Sequence, residues 1–134
     1  WRLYLLCSLD TYNAERGYGY FMNDITCIST DDMKNWTDHG EVFHAKDSKW
    51  GAKMTWAPCV VHRNGKFYLY YGDANSGGIG VAVSDLPPGP YIDNHARPVV
   101  GMDTPGVLLY DENSGCINRV VRTGGCGALI HVCL

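Results

Sequence analysis

The chain repeats itself. Arg2-Leu3-Tyr4-Leu5 lines up with Lys66-Phe67-Tyr68-Leu69, and Ile28-Ser29-Thr30-Asp31 lines up with Val83-Ser84-Asp85-Leu86. In each copy an aromatic residue stands seven positions after the serine (Trp36, Tyr91), and an aspartate stands two positions after that (Asp38, Asp93). The offset between the copies falls from 64 to 55 residues, so the first copy carries about nine extra residues around Thr11 to Asn23. Self-similarity in a fixed order, with four short strands per unit at this period, reads as propeller blades. A sandwich would supply strands without that copy-to-copy order.

The segments between the repeats support strands and not helices. Arg2–Ser8, Thr26–Ser29, Pro58–His62, Lys66–Tyr71 and Ile79–Ser84 are short apolar runs rich in aromatic and β-branched residues, and turn clusters separate them. Asn64-Gly65 between two such runs predicts a two-residue hairpin, because both turn positions need positive φ. The second copy opens at Trp56-Ala57-Pro58-Cys59-Val60-Val61, and the matching strand of the first copy would precede Trp1. A third copy begins near Thr104-Pro105-Gly106-Val107-Leu108-Leu109, after which Cys116 to Leu134 loses the aromatic strand pattern. The expected fold is all-β, a partial β-propeller of about two four-stranded blades and an incomplete third. The expected boundaries are about 1–46, about 50–102, and about 103–134 for the partial blade and its atypical tail.

Composition narrows the function. Hydrophobic residues make up 46% of the chain and charged residues 19%, enough apolar material for a packed core. A net charge of -3 and the lack of any Lys/Arg run argue against nucleic acid as a partner. No apolar stretch approaches the ~20 residues of a membrane-spanning helix. None of the six cysteines forms a Cys-x-x-Cys pair, and the five histidines show no ligand spacing, so the sequence points to no metal or other cofactor. Nine Tyr and four Trp suit a carbohydrate binder, whose rings pack on sugar C–H faces, and equally suit an aromatic β-core.

Three stretches carry a resemblance. Trp56-Ala57-Pro58 through Lys66-Phe67-Tyr68-Leu69-Tyr70-Tyr71 resembles the blade opening of glycoside hydrolase family 43. Gly78–Asp85 followed by Pro88-Gly89-Pro90-Tyr91 resembles the end of the same blade, and Ser29–Trp36 with Thr37-Asp38-His39-Gly40 resembles the first-blade motif. Together they cover roughly residues 1–107 in the family's order. The resemblance implies a five-bladed propeller and inverting hydrolysis of arabinose- or xylose-containing plant polysaccharides. It places the general base on the strand before Trp1 and the general acid beyond Leu134, so the chain alone is expected to lack both. A non-catalytic carbohydrate-binding or structural propeller fragment is the alternative, and a propeller used for protein interaction is a third reading.

The resemblance also names candidate site residues. Trp56 would open an inner strand and face the central pocket; otherwise it is a core ring between blades. Asp10, at the end of the first strand, could grip sugar hydroxyls with charge-assisted hydrogen bonds or simply form a turn. Asp24 matches an acidic position in similar sequences. Asp103 lies where the family keeps an aspartate that tunes the acid, although Thr104 separates it here from Pro105. Tyr12, Tyr18, Tyr20 and Phe21 could wall a subsite or cap the blade. Asp31, Asp32 and Asp85 read as turn or capping residues. Two blades leave a sheet face to be covered, so a homodimer, or association with the remaining blades, is expected.

Overall fold

The computed structural model of the chain describes residues 2–12, 14–15, 21–73, 75 and 77–101 in full, and the backbone of 108–111, 116–123 and 126–132. Three antiparallel sheets follow one another along the chain, each built from consecutive strands. They are β1 (Leu3–Asp10), β2 (Met22–Thr30) and β3 (Thr37–His44); β4 (Trp56–Arg63), β5 (Lys66–Asp73) and β6 (Gly78–Ser84); and β7 (Leu108–Asp111), β8 (Cys116–Thr123) and β9 (Cys126–Val132). The hairpin at Asn64-Gly65 forms as its sequence requires: φ is 51° and 74°, and Arg63 pairs with Lys66.

Two features differ from the sequence reading. Among the described residues each sheet has three strands and not four. In the second, the fourth position is reduced to isolated bridges, Val83 to Ile92 and Ile79 to Val100. Pro98, which has no N–H to donate, lies between these two bridges and packs where a Cβ on Gly78 would stand 2.7 Å from it. The tail, expected to be atypical, pairs as β8 and β9. Thr123 is opposite Cys126, with Gly124-Gly125 between them in sequence, a hairpin signal that outweighs the missing aromatics.

The first two sheets pack face to face. Alternate residues of β2 (Ile25, Cys27, Ser29) and of β5 (Leu69, Tyr71, Asp73) are buried and fill the seam with Phe43, Ala52 and Ala82. Phe43 and Tyr71 meet with ring centroids 4.7 Å apart. Each fully buried aliphatic side chain contributes about 1.5–3 kcal/mol here. Burial pushes the Cys27 thiol up to about 11, so it acts as a small hydrophobe and not as a nucleophile.

Polar groups hold the connection from Ala45 to Thr55 over that seam. Tyr71 donates its hydroxyl to buried Asp93 Oδ2 at 2.6 Å and accepts Trp50 Nε1–H at 3.0 Å. Burial and this bond to Asp93 push the Tyr71 phenol well above its ordinary range. The Lys49 and His95 amides donate to the same carboxylate, and Lys53 N–H donates to buried Asp73 at 2.6 Å. Both copies also clamp a strand start to the turn beyond its neighbour's end: Arg2 to Asp31 and Lys66 to Asp85, each at 2.6 Å. These pairs are exposed and contribute little.

The turn after β2 is organised by Asp32, as its capping pattern predicts. Its carboxylate accepts from the amides of Lys34 and Asn35 and from the Asn35 side chain. Those donors hold Asp32 well below the usual carboxylate range. A depressed native value means its contribution is present above the ordinary value of about 4 and fades as pH falls toward the lowered one. Asp32→Ala should therefore melt below the parent at pH 7, with the gap closing in thermal scans toward pH 2. A gap that widened in acid would contradict this account.

Candidate functional site

The site is built where one end of the first sheet meets the start of β4. β1 ends there and β2 begins there. Asp10 Oδ1 accepts the Phe21 amide at 2.9 Å, and the amide and hydroxyl of Thr11 both donate to the Phe21 carbonyl. Asp10 thus closes the hairpin end, and a register shift at Leu9/Asp10 sets it opposite Met22.

Trp56 is delivered to the same end by backbone geometry. Thr55, fully buried, donates its amide to the Met22 carbonyl at 2.7 Å and its hydroxyl to the same oxygen at 3.2 Å. The Ser8 hydroxyl donates to the Thr55 carbonyl at 2.6 Å. Trp56 then pairs with Gly72, and the next matched pair is Cys59 with Tyr70, so β4 carries one extra residue. Within that bulge Ala57 has φ 47°, a left-handed conformation that a non-glycine residue adopts only where its neighbours enforce it. Bulges of this kind re-aim side chains and recur beside active sites. The Trp56 ring is half-buried.

The other candidates separate. Asp24 is buried and pairs with Leu9 and His44, so it stands on the face of the first sheet turned away from the seam. His44 Nδ1 accepts the Lys46 amide, which leaves Nε2 facing Asp24 Oδ1 at 3.4 Å, while that oxygen makes no hydrogen bond. Asp103, Tyr18 and Tyr20 lie outside the described residues, and Tyr12 is exposed. Asp10, opposite Met22, and Trp56, next to the residue bonded to Met22, thus lie at the same sheet end, while Asp24 is on the other face of the sheet. Among the described residues no group of three or more His, Cys, Asp or Glu could hold a metal ion.

Sequence reasoning missed Ser8 and Thr55, which fix the approach to Trp56. Their only sequence signal is a hydroxyl beside a strand end and another directly before Trp-Ala-Pro. It also missed the buried Asp93, although the repeat of Asp38 had marked the position.

The pattern of the family described as Glycosyl hydrolases family 43 matches residues 4–113. An arabinoxylan arabinofuranohydrolase from Paenibacillus polymyxa is 41% identical over 145 aligned positions, spanning 85% of this chain and 22% of that protein. An alpha-L-arabinofuranosidase structure from Clostridium thermocellum superposes with a TM-score of 0.70 at 40% identity, over 99% of this chain and 53% of that one. A beta-xylosidase/alpha-arabinofuranosidase from a compost microbial metagenome, solved in complex with xylotriose, gives 0.67 at 28% identity, over 87% of this chain and 37% of that one. The chain thus spans about a fifth of the Paenibacillus protein and about half of the Clostridium structure. Its consecutive meander sheets are blades of a partial five-bladed propeller, and the chain belongs to glycosyl hydrolases family 43.

Proposed function

We propose that these residues form one wall of the sugar pocket of an inverting glycosidase acting on arabinose- or xylose-containing plant polysaccharides. The observation that carries this reading is Trp56, placed by a bulge and a left-handed Ala57 at the sheet end where Asp10 closes β1. A half-buried indole offers its face to sugar C–H groups, and Asp10 stands at the same end to orient hydroxyls. Inversion needs an acid and a base ~6.5–9.5 Å apart with water between them. Neither group is assigned to a described residue, and Asp103 is the residue that would tune the acid.

Two observations favour a second reading, a binding wall without chemistry: Asp10 already accepts an amide, and Asp24 faces a histidine. The far face of the first sheet exposes Leu5, Leu9 and Cys7. We propose that it is covered by further blades or by a second copy in a symmetric dimer.

One set of measurements tests these readings. The intact protein is assayed on nitrophenyl arabinofuranoside and xyloside, titrated with arabino- and xylo-oligosaccharides by calorimetry, and sized by light scattering. Turnover supports the glycosidase, and binding without turnover supports the second reading. Trp56→Ala should weaken oligosaccharide binding about tenfold. An unchanged affinity in that variant removes Trp56 from the pocket.

A further inference from the structure

We infer that Ser8 and Thr55 are positioning residues for Trp56, a hydroxyl latch between the two blades that sets where the indole meets sugar. The inference rests on Trp56 lining the sugar site.

Thr55 is the residue immediately before Trp56. Its amide, hydroxyl and carbonyl are all committed to the neighbouring blade, at 2.7, 3.2 and 2.6 Å. The residue is completely buried, so no water substitutes for a lost partner. The two groups it reaches are set in turn. The Met22 carbonyl belongs to the hairpin end that Asp10 and Thr11 close on Phe21, and Ser8 lies on β1, two residues before Asp10. On the other side of Trp56 the backbone turns left-handed at Ala57, where an unsupported chain would relax to another conformation. The indole is therefore held between a latched residue and a strained one. Releasing the latch lets the bulge relax and moves the ring without altering any group that could touch sugar.

Ser8→Ala removes one bond of the latch, and Ser8→Thr keeps the hydroxyl. In the intact protein, Ser8→Ala should raise KM and the oligosaccharide Kd about three- to tenfold, the effect of one buried hydrogen bond. The loss should fall on KM and not on kcat, because ground-state binding is what changes. Ser8→Thr should restore both constants. Thr55→Val, which loses only the bond from the hydroxyl to Met22, gives a second, milder variant should Ser8→Ala fold poorly, and it should shift KM in the same direction. If Trp56→Ala weakens binding while Ser8→Ala and Thr55→Val leave KM and Kd at parent values, the latch is overturned. If Trp56→Ala itself changes nothing, the underlying assignment of Trp56 fails, and the two failures are thereby told apart.

Discussion

Replacing Asp93 with alanine is expected to destabilise the protein by about 3–5 kcal/mol, among the largest effects of any single change away from the pocket. The carboxylate is buried and accepts from three donors: the Tyr71 hydroxyl at 2.6 Å, the His95 amide at 2.8 Å and the Lys49 amide at 3.3 Å. Alanine leaves the buried Tyr71 hydroxyl without its acceptor, at a cost of about 1–3 kcal/mol, and takes the charged partner from two part-buried amides as well. Tyr71→Phe removes only one of them and should cost less, about 1.5–3 kcal/mol, since the bond is to a charged partner. The loss should also be felt locally, because Asp93 is one of two buried aspartates that hold down the connection from Ala45 to Thr55. Limited trypsin digestion should cut Asp93→Ala faster at the exposed Lys46, Lys49 and Lys53. Denaturant midpoints equal to the parent's would show that the network carries no stability.

Gly80→Ala is expected to cost about 3 kcal/mol or more, although it adds one methyl group. A Cβ there would sit 2.5 Å from Trp50 Nε1, 2.5 Å from Tyr71 Cζ and 2.6 Å from Tyr71 Oη. Both rings are fixed at their polar ends, Tyr71 by Asp93 and Trp50 by Tyr71, so neither can swing aside without breaking a hydrogen bond. Overpacking alone costs about 1–3 kcal/mol, and the broken bonds add to it. Because both substitutions break the same network, Gly80→Ala combined with Tyr71→Phe should cost less than the sum of the two. Strict additivity in a double-mutant cycle would place Gly80 outside the network.

Much of this fold was legible, and the reason lies in particular strands. β1, β2, β4, β5 and β6 were each located from apolar runs, short by one to four residues at an end, because strand ends dip into turn residues such as Asp10 and Asp73. β3 escaped notice as a strand. Thr37-Asp38-His39-Gly40-Glu41 is a polar edge whose side chains mostly face solvent, so burial imposes no alternation on it. Trp56 could be named because its motif is local. Thr55 and Ser8 could not, since their pairing joins positions 47 residues apart and depends on how two blades dock. Asp93 shows the same limit. It repeats Asp38 in sequence, yet Asp38 merely accepts the Gly40 amide on the exposed part of β3, while Asp93 gathers partners from 22 and 44 residues away.

The outer rims of both blades decide whether a further strand can add to either sheet. On the second blade, residues 91–100 lie along β6 and bond at Val83 and Ile79 but not continuously. On the first, β3 is broken by register shifts, and its Val42 carbonyl is already taken by the Tyr91 amide. Neither border offers the clean ladder that lets strands add without end. Growth into fibrils along these borders is thereby discouraged, which leaves exposed Leu5, Cys7 and Leu9 on β1 as the apolar surface for the covering proposed above.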